Sequence, residues 1–132
     1  MRSFIIKNIR TVIITLLILY ATLTPSSGIP KTNILSIKHI DKVIHFGMFF
    51  CLLIAIAWDY RNHIKFQRLF LIGIAYCMAL ALLTEFLQLK FYAERSGTMG
   101  DIIADLVGCA IASLTVVLFK EHGIFPFTKK AP

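Results

Sequence analysis

Leu69-Phe70-Leu71-Ile72-Gly73-Ile74-Ala75-Tyr76-Cys77-Met78-Ala79-Leu80-Ala81-Leu82-Leu83-Thr84-Glu85-Phe86-Leu87-Gln88-Leu89 is the stretch that decides the fold. It matches the ~20 predominantly apolar residues that a helix needs to cross a bilayer. A soluble helix would carry a continuous polar face, and this stretch has none. Glu85 is then a carboxylate inside a membrane segment, which is costly and by default marks a site. A second acid of this kind, Asp105, opens the apolar run from Ile102 to Phe119.

The rest of the chain agrees with a membrane solvent. Its 132 residues are 58% apolar and only 16% charged, where a soluble domain carries about a quarter charged residues. This is one membrane domain over residues 1–132, with no room for a second. The net charge of +7 is high enough for nucleic acid to be considered. However, the basic residues sit in short segments between apolar runs, without interleaved aromatics, as topology signals do. On that ground no nucleic-acid partner is expected. Cys51, Cys77 and Cys109 fall inside apolar runs without C-x-x-C spacing and read as packing side chains, with no metal site or cofactor implied.

Four runs qualify as spans: residues 9–24, 42–58, 69–89 and 102–119. The first ends at Pro25 and the breaker-rich Ser26-Ser27-Gly28-Ile29-Pro30. Arg2, Lys7 and Arg10 precede its apolar core as in a signal peptide, but no A-x-A site follows, so it reads as a retained helix. The second is short, extended by Lys42, which can snorkel, and by Trp58 at the interface. With the N-terminus inside, the inner segments hold nine Lys and Arg and the outer loops hold five: Lys31, Lys38, Lys42, Lys90 and Arg95. The positive-inside rule therefore predicts a compact all-α bundle of four transmembrane helices with both termini inside.

On this topology the polar residues converge. Asp41 and His45 begin the second helix, Glu85 and Gln88 end the third, Arg95 lies in the outer loop, and Asp101 and Asp105 begin the fourth. All fall on the outer side, and each helical pair has i,i+3 or i,i+4 spacing that puts it on one face. Ala104, Gly108 and Ala112 form a small-xxx-small row that admits a close neighbour, which makes the fourth helix central. The cytoplasmic ends show only ordinary surface charges. Plainer roles exist for some of these residues: Asp101 as a complement to the helix dipole, Gln88 as interhelical glue, His45 as a hydrogen-bonded packing residue, Arg95 as a solvated charge. Glu85 has the least room for one, because a carboxylate at that depth must be paired or protonated. Trp58, Tyr60 and Tyr92 read as interface anchors.

Asp41-Lys42-Val43-Ile44-His45-Phe46, then Glu85-Phe86-Leu87-Gln88 with Phe91, then Arg95, Asp101, Ala104, Asp105 and Gly108 resemble the VanZ-like membrane protein family. The family pattern looks like D-K-x-x-H-F, E-x-x-Q and R-x5-D-x2-A-N-x2-G, and the resemblance covers residues 41–112. This chain departs from it at Asp105, where the family usually has Asn. The resemblance implies a small multi-pass protein of the bacterial cytoplasmic membrane, from a family named for a protein linked to resistance to the glycopeptide teicoplanin.

Three functions are open to such a site. It could bind an amphiphile, either a membrane lipid or a lipid-linked envelope precursor. The headgroup would then lie on Lys42, His45, Gln88 and Arg95, with Asp41, Glu85, Asp101 and Asp105 orienting these groups and holding sugar or amine groups. It could be an enzyme acting on a lipid headgroup, with His45, Glu85 and Asp105 as candidate acid–base groups and Asp41 orienting His45. A nucleophile motif is missing, since Ser96 and Thr98 match none, and zinc is disfavoured; a divalent cation on Glu85, Asp101 and Asp105 is conceivable. The cluster could also serve only to hold the helices in register.

Overall fold

The computed structural model describes residues 7–24, 40–61, 65–91 and 99–122. Four helices account for almost all of them: α1 (Ile9–Leu23), α2 (Ile40–Tyr60), α3 (Phe66–Phe91) and α4 (Met99–Glu121). No strand occurs among the described residues. α2, α3 and α4 are each longer than the apolar runs expected in the sequence. They extend through polar ends whose charges suit the helix dipole: Asp41 and Asp101 in first turns, Lys90 and Lys120 in last turns.

These three helices are long and apolar enough to cross a membrane. Only 28–39% of each span is buried inside the protein. The remaining apolar surface, such as Leu71, Leu82, Phe86, Ile103 and Leu114, therefore needs a lipid solvent. The first helix differs from expectation. Its 15 residues make about 22 Å at 1.5 Å per residue, short of a hydrocarbon core of about 30 Å.

α2, not α4, is the hub. It packs against all three other helices, and its interface with α4 is the most extensive in the protein. The close approach depends on α4's small residues. A Cβ on Gly108 would run into the backbone carbonyl oxygen of Phe46 and lie 3.2 Å from the Phe50 nitrogen. Below it, Ala112 and Val116 of α4 and Phe49 and Leu52 of α2 are completely buried. Ala104 is only half-buried, so the packing row runs from Gly108 inward. Cys109 donates to the Phe49 carbonyl at 3.9 Å; Cys77 is buried as well, whereas Cys51 is exposed.

The short α1 is fastened at both ends by side chains of other helices. Its N-cap residue, Asn8, makes no side-chain cap. The missing cap comes from Asp59 of α2, whose Oδ2 accepts from the Thr11 amide and hydroxyl, both at 2.9 Å. Its Oδ1 accepts from Arg10 at 3.1 Å. A carboxylate at a helix N-terminus satisfies an orphan amide and complements the dipole. Midway, Thr15 and Tyr76 of α3 share a 3.0 Å hydrogen bond. At the far end, Gln88 of α3 donates to the Thr22 carbonyl at 2.9 Å, one of the four carbonyls that a helix end leaves open. The end of the bundle carrying Asp59 is therefore not a set of ordinary surface charges: it holds a fully buried carboxylate. Trp58 lies beside it between Arg10 and Arg61, whose guanidinium carbons are 5.8 and 4.5 Å from the ring centre. Lys120 covers Phe66 at 3.7 Å, placing the start of α3 and the end of α4 at this same end.

Candidate functional site

The opposite end gathers the polar residues of α2, α3 and α4. Lys42 donates to Oδ1 of Asp101 at 3.0 Å, and His45 Nδ1 bonds Oδ1 of Asp105 at 3.0 Å. The two links sit one turn apart on both helices, because 41/45 and 101/105 are i,i+4 pairs on facing stripes. Glu85 enters from α3, with Asp101, His45, Asp105 and Asp41 as its electrostatic neighbours. His45, Glu85, Gln88, Asp101 and Asp105 are all buried, Asp105 completely. Asp41 is exposed and Lys42 half-buried. Arg95, Tyr92, Ser96 and Thr98 lie outside the described residues.

The distribution of donors and acceptors is uneven. Lys42 is committed to Asp101, His45 to Asp105, and the Gln88 amide to Thr22. Two buried acceptors, Glu85 Oε1 and Asp105 Oδ2, have no hydrogen-bond partner. A buried carboxylate oxygen left without a donor is expensive, so this end has acceptors to offer and few buried donors. The orienting partner of His45 is Asp105 of the neighbouring helix, which bonds Nδ1; Asp41, one turn away on the same helix, contributes charge. No three His, Cys, Asp or Glu side chains converge as metal ligands among the described residues.

Sequence reasoning missed Thr22, whose contribution is a backbone carbonyl and leaves no side-chain signal. It also missed the pairing of Arg10 with Asp59, two charges that each sit at the edge of an apolar run. Gln88, expected on the ligand-binding face, is held by α1: its amide bonds the Thr22 carbonyl, the plainer interhelical role that its residue type also allows. Replacing it with leucine is expected to strand the Thr22 carbonyl and lower stability by about 1–3 kcal/mol; thermal unfolding in detergent measures this. Gln88→Glu should cost more, since it sets a carboxylate against a carbonyl oxygen.

Fold and site together define an α-helical membrane protein with a buried, acid-rich polar cluster at one end of its bundle. Residues 5–120 match the VanZ/LLP1 family. The chain belongs to that family, as its motifs imply. It is 31% identical over 117 residues to an uncharacterized protein of the fission yeast Schizosaccharomyces pombe, a match covering 88% of this chain and 67% of that one. No solved structure matches the chain.

Proposed function

We propose that the polar end is a binding site, open to the outer side of a membrane, for an amphiphile whose headgroup is rich in hydrogen-bond donors. The observation that carries this reading is the pair of buried, unpartnered oxygens, Glu85 Oε1 and Asp105 Oδ2. With Lys42, His45 and Gln88 engaged within the protein, sugar hydroxyls or an ammonium group complement the described part of the site better than a phosphate does. The tail of the ligand would run along the apolar faces of α3 and α4, where Phe86, Leu89 and Ile103 are exposed. In this reading all four helices cross the membrane with the N-terminus inside, following the nine-to-five excess of basic residues. A bacterial inner membrane and a contribution to teicoplanin resistance follow from the resemblance and belong to the same proposal. The fungal relative favours a membrane lipid over a precursor peculiar to bacterial walls.

Native mass spectrometry of the protein released from its own membrane tests this. The wild type should retain an amphiphile with a sugar or amine headgroup. Glu85→Gln should lose it by about tenfold or more in affinity, the scale of a hydrogen bond to a charged group. The same substitution should leave the melting temperature unchanged or raised, because it relieves an unsatisfied buried carboxylate. Identical lipid complements in the two proteins would sink the proposal, and unfolding of Glu85→Gln would make the cluster structural. The His45–Asp105 contact, buried and 3.0 Å long, favours a second reading in which the pair acts as an acid–base group on the headgroup. The spectra separate the two. Binding returns the lipid at its original mass, and chemistry returns it altered.

A further inference from the structure

Towards the other end of the bundle, α1 and α2 border a groove of about 370 Å³, lined by Ile14, Phe50, Cys51 and Ile54 with Arg10 and Trp58 at one end. Its walls are almost wholly apolar, and its size falls within the range of about 300–1,000 Å³ typical of small-molecule sites. The Arg10 end is where two guanidinium groups, those of Arg10 and Arg61, approach the Trp58 ring. Arg10 bonds Asp59 through one nitrogen, yet its side chain is 58% exposed. Arg61 donates from Nη1 to the Trp58 carbonyl at 3.0 Å, and its buried Nε has no hydrogen-bond partner. Arg10, exposed at the groove, and the Arg61 guanidinium next to Trp58 together make an end that suits an anion. The apolar walls running inward from it call for a hydrocarbon chain.

The charge balance of this end agrees. Lys7, Arg10, Arg61, Lys65, Arg68 and Lys120 gather there with Asp59 and Glu121, the reverse of the acid-rich far end. Basic residues at a membrane surface select anionic lipids, and the fork of arginine suits phosphate oxygens. We infer that the α1–α2 groove holds an anionic glycerophospholipid of the leaflet at the Arg10 end. One acyl chain lies along Ile14, Phe50 and Ile54, and the phosphate is held by Arg10 and Arg61 beside Trp58. The lipid would fill the gap that the short α1 leaves against α2. This site is separate from the polar end and does not depend on what binds there.

Trp58 is the single tryptophan of the chain, so its fluorescence reports this groove alone. The protein is reconstituted in phosphatidylcholine vesicles containing a small fraction of either phosphatidylglycerol or phosphatidylcholine with brominated acyl chains, which quench indole on contact. Brominated phosphatidylglycerol should reach half-maximal quenching at about fivefold lower mole fraction, the factor one basic residue contributes at an anionic surface. Arg61→Ala should remove most of that preference. Cys51→Phe, which fills the groove from an exposed position, should weaken quenching by phosphatidylglycerol. Equal quenching by the two lipids in the wild type would mean only annular contact and overturn the inference. So would a preference that survives both variants. Quenching by neither lipid would also overturn it, since protein would then cover the groove.

Discussion

Gly108→Ala is expected to cost about 3 kcal/mol, the upper part of the usual range for overpacking. The added methyl would meet the carbonyl oxygen of Phe46, with the Phe46 carbonyl carbon and Phe50 nitrogen each 3.2 Å away. These are backbone atoms of α2, so no rotamer change can move them aside. α2 and α4 must separate, and with them the two bridges that lie above Gly108, Lys42–Asp101 and His45–Asp105. The substitution should therefore lower the melting temperature and disturb the polar end together. Gly47→Ala is the control, because a Cβ there meets nothing within 4 Å. That change should be neutral or stabilise α2 by up to about 1 kcal/mol through helix propensity. Thermal unfolding of both variants in one detergent gives the comparison. Equal effects would mean that the close approach of α2 and α4 is not what glycine is needed for.

Asp59→Ala should produce a loss of similar size, about 3 kcal/mol, by a different route. The ion pair with Arg10 is the smaller part, since the arginine is more than half exposed and such pairs contribute little. The larger part comes from Thr11, whose amide and hydroxyl both donate to Asp59 Oδ2 and would be left buried without an acceptor. The N-terminus of α1 would lose the only cap it receives among the described residues, Asn8 supplying none. Asp59→Asn keeps one oxygen and should fall between wild type and alanine. Because Trp58 is adjacent and approached by both Arg10 and Arg61, its emission should shift as α1 detaches, before global unfolding. A single transition with unshifted emission would place the role of Asp59 elsewhere.

Glu85, Asp101 and Asp105 are legible because a carboxylate within an apolar run has few ways to exist, and the i,i+4 spacing of Asp101 and Asp105 shows that those two share a face. Gly108 is legible as a close-packing residue because its row of small residues repeats at helical spacing. Asp59 is not. It stands at the end of a run beside Trp58, where a solvated charge and a buried cap have the same sequence signature. Arg61 beside Trp58 looks in the same way like an ordinary interface pair, and only its place over the indole ring gives it a separate role.

Residue order was enough for the helical class, the three long spans, the family and the end of the bundle where polar groups gather. Apolar run length, periodicity and alternation of helix direction are one-dimensional properties, and they suffice for that. The tertiary structure alone decided which partner each polar atom has. It gave His45 to Asp105, Gln88 to a backbone carbonyl, and Asp59 to the start of α1. It made α2 the hub and left α1 a short helix held at its ends. Pairing depends on which helix faces lie within about 3 Å of one another, and spacing along a chain carries no information about that distance.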